Sequence, residues 1–339
     1  MDTRKFDVVV VGAGSAGLAA HAAAMRVTAS VLLIEAGVGG TTCARAGCMP
    51  SKLLIAAAHA CREVAGAGTF GINVTGVSVD GAAVMRRVQA LRDEFVAGVL
   101  RDVAEIPSGQ RLQGLAHFED MRTLRVNGER IEAGRVVIAT GSLPQIPASF
   151  AELGDRLLTT DNVFDLPTLP ASIAVIGGGT VGLELGQAFH ALGVRTRLFH
   201  NGRTLGPKGD ADMTALATRL FTEDLPCELG VQAAPTRHSP HEVELGWTGD
   251  DGVPRTEAFE YVLMAAGRKP SLASLNLAAS GLELDEHGVP RFDPATMQCG
   301  DSTVFMAGDV DARWPILHEA TADGRIAGDN AARHPQHRP

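Results

Sequence analysis

Residues 6–17 read FDVVVVGAGSAG, an apolar run that passes directly into three spaced glycines. The β-branched run is typical of a fully buried parallel strand, and an alanine-rich segment that follows, to about Val27, predicts a helix. The next predicted strand, 31–34, ends in Glu35, which stands 35 − 12 = 23 residues after Gly12. Strand, glycine turn, helix and acid in this order predict a dinucleotide-binding unit.

Each part of this unit has a physical reason. Gly12 permits the tight turn, Gly14 lets the backbone approach a pyrophosphate, and the helix N-terminus supplies N–H donors. Glu35 can accept a hydrogen bond from a ribose hydroxyl. A glycine-rich turn without a ligand is the alternative. The candidate contacts are Gly12, Gly14, Ser15, Ala16, Gly17, Glu35 and Ala36.

A second unit of the same kind starts at Ser172, with GGGTVG at residues 177–182 between a predicted strand and a predicted helix. The spacing repeats, since 200 − 177 = 23, but the acid position holds His200, and Arg203 and Lys208 follow. Basic groups there suit the 2′-phosphate of NADP(H), so the pattern leans towards NADP(H); a solvent-facing His200 is the alternative. The candidate contacts are Gly177, Gly179, Thr180, Val181, Gly182, His200 and Arg203.

Between the glycine turns lies GTTCARAGCMPSK, residues 40–52, with Cys43 and Cys48 five apart. Pro50 suits the first turn of a helix, which we predict over 51–64, so Cys48 lies near a helix N-terminus, where a thiolate is favoured. We interpret the pair as a redox-active disulfide laid against a flavin. No second cysteine pair or histidine pair has metal-site spacing, so we predict no metal site. Two buried structural cysteines are the alternative.

Composition narrows the functional classes. The 339 residues predict two domains, with three as the alternative. The net charge of −9 without a basic block argues against a nucleic-acid partner. An odd count of five cysteines points to a reducing cytoplasm rather than a secreted disulfide scaffold. The apolar run 8–25 is broken by glycines, so we predict no membrane span.

Further elements follow from local pattern. An acid at the carboxyl end of a strand, as at Asp309, can reach a cofactor hydroxyl. Asn127-Gly128 is a turn signal inside an antiparallel excursion over 111–130. We predict helices at 81–104, 213–221 and 320–332, and strands at 136–139, 242–247, 257–266 and 303–307, with glycine ends at Gly141, Gly267 and Gly308.

These pieces together resemble the pyridine nucleotide–disulfide oxidoreductases, the family of dihydrolipoamide dehydrogenase, mercuric reductase and glutathione reductase. The stretch 40–52 is close to the family's GGTCxxxGCxPSK, and the resemblance covers residues 5 to about 332. It implies an α/β fold of two Rossmann-like three-layer domains, the second inserted in the first. The implied domains are 1–147 and 271–332 for FAD, and 148–270 for NAD(P); 333–339 is predicted to be a disordered tail.

The resemblance also implies roles. Cys43 would be the interchange thiol that meets a disulfide or dithiol substrate, and Cys48 the thiol beside the flavin. Lys52 would pair with Glu184 near the flavin, and Asp309 would bind the ribityl chain. Electrons would pass between NAD(P)H, FAD and the disulfide. The remaining implied FAD and NAD(P)H contacts are Gly40, Thr41, Thr42, Ala139, Thr140, Gly141, Gly267 and Gly308.

One departure concerns the C-terminal side. Members of the family continue into an interface domain that forms a homodimer and supplies a His–Glu pair to the partner's active site, whereas His334-Pro335 here lacks the following Thr and Glu. We therefore keep an alternative to the dihydrolipoamide dehydrogenase-like enzyme: a truncated or non-catalytic FAD-binding protein, with quinone- or dye-reducing activity only or a regulatory role. A monomer is the alternative to the dimer.

Overall fold

The computed structural model describes residues 3–206 and 209–336. They form two compact units. Unit one is built from the residues up to Cys43, from Phe95–Leu143 and from Lys269 onward; unit two is built from Ala44–Glu94 and Pro144–Arg268. The chain thus passes from unit one to unit two after 43 and again after 143, and it returns after 94 and after 268.

The elements are as follows. The α-helices are α1 (Ser15–Met25), α2 (Thr42–Arg45), α3 (Cys48–Gly66), α4 (Gly81–Glu105), α5 (Thr180–Ala191), α6 (Ala211–Asp224) and α7 (Leu317–Arg333). The strands are β1 (Arg4–Val11), β2 (Val31–Glu35), β3 (Arg111–Gln113), β4 (Ala116–Asp120), β5 (Thr123–Val126), β6 (Glu129–Ile138), β7 (Ser142–Pro144), β8 (Leu157–Leu158), β9 (Ser172–Ile176), β10 (Arg195–His200), β11 (Cys227–Leu229), β12 (Ala234–His238), β13 (Val243–Thr248), β14 (Pro254–Phe259), β15 (Tyr261–Met264), β16 (Arg268–Pro270) and β17 (Val304–Met306). Short 3₁₀ helices lie at Ala67–Phe70, Ser108–Gln110, Ala148–Arg156, Val163–Asp165, Ala273–Leu275, Leu277–Ser280 and Asp309–Asp311.

Unit one is organised around a seven-stranded sheet in the order β3-β2-β1-β6-β5-β4, with β17 beside β6. β1, β2, β3, β6 and β17 are parallel, whereas β4, β5 and β6 form an antiparallel meander whose last turn is the predicted Asn127-Gly128. Successive β1 residues enter two different cores, Val9 on one face of the sheet and Val10 on the other. Both faces of β1 are therefore buried, as its continuous apolar run predicts.

Helices α1 and α7 pack on each other at small residues. A Cβ on Gly324 would lie 2.2 Å from the carbonyl oxygen of Ala16, and one on Gly328 would lie 2.1 Å from that of Ala20. Because nothing larger than a hydrogen fits at these two positions of α7, both must be glycine. The packing holds the N-terminus of α1 at the carboxyl edge of the sheet.

Unit two has a parallel five-stranded sheet in the order β11-β10-β9-β15-β8 and a separate antiparallel sheet, β12-β13-β14. Phe199, Trp247 and Phe259 fill the core between the two, with Phe199 edge-on to both other rings. The predicted strand 257–266 is divided in the structure. The division lies at Glu260, whose carboxylate accepts the Ala171 N–H and whose own N–H donates to Ser172.

The segment 44–94 lies in unit two, although we predicted it as part of the domain 1–147. Leu54 and Ala58 of α3, and Met85 and Val88 of α4, are buried in the same core as Ile173. The helical period of these apolar residues is visible in the sequence, but the partner that covers them is not. Assignment of the units to FAD and to the nicotinamide cofactor stays a prediction from the resemblance.

The predicted disordered tail, 333–339, needs correction over its first residues. Arg333 is the last residue of α7, and His334 donates its backbone N–H to Asn330 while its ring lies edge-on against Phe305. Arg135 also donates to the His334 carbonyl oxygen. Residues 337–339 lie outside the described part of the chain. The polar sequence after 332 gave no sign of these tertiary contacts.

Candidate functional site

The first glycine turn joins β1 to α1. A Cβ on Gly12 would lie 2.3 Å from the Ala139 carbonyl oxygen, and one on Gly17 would lie 1.8 Å from the Gly12 carbonyl oxygen, so both positions require glycine. A Cβ on Gly14 would meet nothing within 4 Å among the described residues. Space is therefore open beside the N-terminus of α1, including Ser15 and its neighbours, where backbone N–H groups can bind an anion.

Glu35 is the last residue of β2 and is held by the turn. One of its carboxylate oxygens accepts from the Ala13 N–H at 2.7 Å, and the other accepts from the Gly37 N–H at 2.7 Å. An ionised carboxylate has about four acceptor sites, so both oxygens can still accept from a hydroxyl. The structure thus fixes the acid beside the glycine turn; its contact with a ribose stays a prediction, as does that of the exposed Ala36.

A second group of predicted residues lies at the ends of the neighbouring strands β6 and β17. The Ser142 hydroxyl donates to the Asp309 carboxylate at 3.0 Å. Gly308 has φ of +76°, and a Cβ there would lie 2.7 Å from the Ala16 Cβ. The Thr140 hydroxyl is buried and has no hydrogen-bond partner within the described residues. The ends of β1, β6 and β17 therefore lie at one edge of the sheet. At this edge the Thr140 hydroxyl has no hydrogen-bond partner among the described residues.

Two buried acids lie behind this edge. Asp311 and Asp323 are 6% and 9% exposed, and Asp323 accepts a hydrogen bond from the Gly308 backbone. Burial, with a smaller contribution from the Asp311 charge, raises the pKa of Asp323 to about 6. Burial also raises the pKa of Asp311. We did not predict these residues, because an acid in a helix such as α7 is usually solvent-facing.

The second glycine turn, between β9 and α5, reproduces the first. A Cβ on Gly177 would lie 2.2 Å from the Ala265 carbonyl oxygen, and one on Gly182 would lie 1.9 Å from that of Gly177. Gly179 again has no neighbour within 4 Å among the described residues, and Thr180 and Val181 are exposed in the first turn of α5. The repeat seen in the sequence is therefore a repeat of backbone packing.

At the acid position of this turn, His200 accepts the Gly178 N–H at Nδ1, with a distance of 3.2 Å. Arg203 donates from both terminal nitrogens to the two oxygens of Asp250, each at 3.1 Å. Lys208, predicted beside them, lies outside the described residues. Gly267, with φ of +115°, accepts the Gln145 N–H at 2.9 Å after β15.

The cysteine stretch contains a sharp bend and two helix starts. Gly39, Gly40 and Thr41 have φ of +70°, +84° and +58°, after which α2 begins at Thr42 and includes the half-buried Cys43. Helix α3 begins at Cys48 itself, three residues before the predicted start. Cys48 is exposed.

Lys52, one turn after Cys48 on α3, forms an ion pair with Glu184 of α5. Its Nζ lies 2.7 Å from both carboxylate oxygens. The same helices are joined a second time: Arg62 of α3 and Gln187 of α5 both donate to Asp224 at 2.6 Å. The pairing of Lys52 with Glu184, which the resemblance implied, is present, and Asp224 is an anchor that the sequence did not reveal.

Two of the other three cysteines, Cys227 and Cys299, do not compete as reactive thiols. Burial raises the pKa of Cys299 to about 12 and, with the Glu228 charge, that of Cys227 to about 11. Within residues 3–206 and 209–336 no group of three or more His, Cys, Asp or Glu side chains could hold a metal ion. The same residues contain no helix that is long and apolar enough to cross a membrane.

Comparison with known proteins agrees with this geometry. Residues 6–324 match the pyridine nucleotide-disulphide oxidoreductase family. The chain belongs to this family. It is 30% identical to the dihydrolipoyl dehydrogenase of Chlamydia pneumoniae over 98% of this chain and 71% of that protein, and 32% identical to that of Thermus scotoductus over 97% and 71%. It is 30% identical to the mercuric reductase of Bacillus cereus over 96% of this chain and 52% of that protein.

A solved structure with the same fold is the HOCl-induced flavoprotein disulfide reductase RclA from Escherichia coli, in a Cu(II) complex. The TM-score is 0.80 at 21% identity, covering 97% of this chain and 71% of that one. The predicted α/β fold is confirmed. As a member of the pyridine nucleotide-disulphide oxidoreductases, the chain is a flavin-dependent enzyme that uses FAD and NAD(P)H.

The residues of unit one fit FAD. The open space at Gly14, the N-terminus of α1 and the buried, unpartnered Thr140 hydroxyl suit a ligand with a pyrophosphate and many hydroxyls. Asp309, oriented by Ser142, is an acceptor at the same strand edge. Bound FAD supplies a carrier that takes up two electrons and releases them as a pair.

Proposed function

We propose that the chain transfers electrons between NAD(P)H and a small disulfide of the lipoamide type, with Cys43 and Cys48 as its own redox pair. The observation that carries this is the combination on α3: Cys48 opens the helix and Lys52, one turn on, is paired with Glu184. A cation and a helix N-terminus both stabilise a thiolate, which is the reactive form of cysteine.

Thiol–disulfide exchange then gives each cysteine a distinct role. In the reduced enzyme, the Cys43 thiolate attacks one sulfur of the substrate disulfide, forming a mixed disulfide and releasing the other substrate sulfur as a thiolate that takes up a proton. The Cys48 thiolate next attacks the Cys43 sulfur, which forms the Cys43–Cys48 disulfide and releases the second substrate thiol. Two electrons have passed from the cysteine pair to the substrate, and FAD held by the residues of unit one would supply the chemistry by which NAD(P)H restores them.

Lys52 and Glu184 are proposed to regulate the charge beside Cys48. Lys52 lies four residues after Cys48, on the same face of α3. Glu184 accepts hydrogen bonds from the Lys52 ammonium. It lies on α5, which begins at the second glycine turn. A change in the nucleotide site can therefore be transmitted along α5 to the cation next to Cys48.

Spectroscopy of the cysteine variants tests the proposal. Anaerobic reduction with two electrons is expected to give a long-wavelength band from a thiolate beside oxidised flavin. Cys48→Ser should abolish the band, whereas Cys43→Ser should retain it and lose lipoamide turnover. A band that survives in Cys48→Ser would overturn the roles.

The same variants separate the alternative, a flavoprotein that reduces only quinones or dyes. In that case Cys43→Ser and Cys48→Ser would leave NAD(P)H oxidation with a quinone unchanged, and the unsubstituted chain would show no lipoamide turnover. Substrates other than lipoamide are compared in the same assay, because mercuric reductases also occur among the relatives.

Compartment and assembly follow by inference. We place the enzyme in the cytoplasm, where a reducing environment keeps its five cysteines available for exchange. The homodimer implied by the family is the expected assembly, and analytical ultracentrifugation distinguishes it from a monomer.

A further inference from the structure

Unit two contains a cavity that the disulfide chemistry does not use. It has a volume of about 440 Å³ and lies between the end of the 3₁₀ helix Ala148–Arg156 and the turn that follows β12. A volume of this order accommodates a small molecule. The residues that line it are Leu153, Asp155, Arg156, His238, Ser239 and Pro240.

The cavity is separate from the second glycine turn. Arg156 directly precedes β8, and β8 runs parallel to β15, which begins at Tyr261. The glycine turn instead follows the carboxyl end of β9, which is also parallel to β15, and it meets Ala265 just after β15 ends. The cavity therefore lies at the amino edge of this sheet, opposite the edge where a dinucleotide binds.

Arg156 brings a positive charge to the cavity. Its Cζ lies 4.3 Å from the centroid of the Tyr261 ring, and its Nε is buried without a hydrogen-bond partner among the described residues. Arg195, Arg197 and Arg203 of the same unit each pair with a carboxylate, whereas the described residues provide no such pair for Arg156. A guanidinium keeps its proton at any physiological pH, so this charge stays without a counter-charge from the chain.

The stack on Tyr261 makes the guanidinium a better binding group. A flat ring beneath the guanidinium restricts its orientation, so less side-chain freedom is lost when an anion binds to the fork. Carboxylates and phosphates are the groups that match this fork with two parallel hydrogen bonds. The buried, unpartnered Nε and the fixed plane together indicate an oxyanion as the missing partner.

The other polar groups of the cavity narrow the class of ligand. Ser239 is held in its turn, because its hydroxyl oxygen accepts the backbone N–H groups of His241 and Glu242, each at 3.2 Å. The exposed His238 ring offers a further N–H donor. Asp155 is an acceptor when ionised, so it repels an anion that has no hydrogen to donate and favours one that carries a hydroxyl group.

We propose that this cavity binds a small oxyanion that also carries a hydroxyl group, with Arg156 binding the anionic end and Asp155 accepting from the hydroxyl. A hydroxy acid and a hydroxylated phosphate ester share this chemistry. The site goes beyond the proposed disulfide reaction, because neither a cysteine nor a dinucleotide takes part in it.

The single tyrosine of the chain provides a probe at the site itself. Incorporation of 3-fluorotyrosine gives one ¹⁹F resonance, from the ring on which Arg156 is stacked. The flavin-loaded enzyme is titrated at constant ionic strength with lactate and propionate, and with glycerol 3-phosphate and methyl phosphate. Each pair differs in the presence of hydroxyl groups, and comparison of the pairs distinguishes a carboxylate from a phosphate.

We expect a saturable shift of the resonance with lactate, glycerol 3-phosphate or both, and about threefold or more weaker binding of the matched probe without hydroxyls. Arg156→Met should weaken binding about tenfold, since it removes hydrogen bonds to a charged group. Asp155→Asn should reduce the preference for the hydroxylated probe. Arg237→Met is the matched control, because Arg237 is an exposed arginine of β12 paired with Glu244, and it should leave the affinities unchanged.

Three results would overturn the proposal: no saturable shift with either hydroxylated probe, a shift that sodium chloride reproduces, or unchanged affinity in Arg156→Met. His238→Ala alters an exposed side chain and should weaken binding about threefold, so it tests the site even if Arg156→Met does not fold. The Cys43→Ser enzyme should bind the probes normally. A failure here is therefore distinct from a failure of the disulfide chemistry.

Discussion

The Lys52 ammonium on α3 lies 2.7 Å from each carboxylate oxygen of Glu184 on α5. This pair links the helix that starts at Cys48 to the helix that starts at the second glycine turn. Both helices belong to unit two and share one core, so the pair is supported by packing as well as by charge. Its net charge is near zero, and removing either member should change the field at Cys48 in a defined direction.

Lys52→Met should slow the reaction of reduced Cys48 with iodoacetamide about tenfold, because a thiolate loses its neighbouring cation and retains the Glu184 anion. A tenfold change corresponds to about 1.4 kcal/mol, which lies between the values of about 1 kcal/mol in water and about 4 kcal/mol near a protein surface for two unit charges about 4 Å apart. Glu184→Gln should accelerate the reaction. Mass spectrometry of the labelled peptide gives both rates.

Lys5→Met is the matched control, because Lys5 forms an exposed pair with Glu132 in unit one. It should leave the Cys48 rate unchanged. Equal rates in Lys52→Met and the unsubstituted protein, or slowing by Glu184→Gln, would contradict a role of this ion pair at the thiolate.

Labelling of the native protein with iodoacetamide should also separate the five cysteines by reactivity. Burial raises the pKa of Cys227 to about 11 and that of Cys299 to about 12, so at pH 8 both are almost entirely protonated and unreactive. We expect Cys43 and Cys48 to react before Cys227 and Cys299 in the reduced enzyme. In denaturant all five should be labelled, which shows that the reagent reaches each peptide; prompt native labelling of Cys299 would count against the buried position described here.

The close contact of α1 with α7 predicts that Gly→Ala substitutions at positions that look alike in the sequence have very different effects on the free energy of unfolding. Gly324→Ala and Gly328→Ala should each lower the free energy of unfolding by about 2 kcal/mol or more, because the new methyl groups would overlap the carbonyl oxygens of Ala16 and Ala20. Gly98→Ala in α4 is the control. Its Cβ would meet only Arg101 Nη2, at 3.8 Å, so the substitution should stabilise by about 0.5–1 kcal/mol.

Urea unfolding of the three variants measures these effects. The comparison is made at one flavin occupancy, since a bound ligand adds to stability. A Gly324→Ala variant as stable as Gly98→Ala would mean that α1 and α7 do not approach as closely as the structure has them.

The raised pKa of Asp323 predicts that the free energy of unfolding depends on pH. Its pKa in the folded chain, about 6, is above the ordinary value of 3.8, so the folded state binds the proton more tightly than the unfolded state. The contribution of Asp323 to the free energy of unfolding should therefore fall as pH rises from about 4 to about 6 and stay low above that. Asp323→Asn removes the titration and keeps an acceptor for the Gly308 N–H, so it should be more stable than the unsubstituted protein at pH 7.

Unfolding curves between pH 4 and pH 8 test this difference directly. The two proteins should converge towards pH 4 and diverge towards pH 7, by no more than about 3 kcal/mol. Asp212→Asn, which changes an exposed acid in the first turn of α6, serves as the control and should follow the unsubstituted curve. Parallel curves for Asp323→Asn would indicate that Asp323 ionises normally.

Much of the site could be read from local pattern. Gly17 and Gly182 are required by contacts within a single strand–turn–helix unit, and such contacts leave a fixed spacing in the sequence, whereas Gly12 and Gly177 face the carbonyl oxygens of Ala139 and Ala265 at the ends of neighbouring strands. Helix α4 was predicted to within one residue at its C-terminus because its apolar period is long and regular. The start of α3 was predicted three residues late, since Cys48 and Met49 carry no helix signal of their own.

What the local pattern missed depends on distant partners. The division of β14 from β15 results from Glu260 bonding at residues 171 and 172, and the ordering of His334 results from Phe305 and Arg135. Asp311 and Asp323 look like ordinary surface acids until the strand end at Gly308 is placed over them. Strand β3 was expected in the antiparallel excursion but pairs parallel with β2.

The sequence by itself determined the family, the two glycine turns and the cysteine pair, because each is a short segment whose chemistry depends on residue type and spacing. Only the tertiary structure decided that Arg62 and Gln187 share Asp224, that His200 accepts the Gly178 N–H, and that Asp250 holds Arg203. These are relations between side chains far apart in the chain, fixed by how sheets and helices pack, and no local spacing records them.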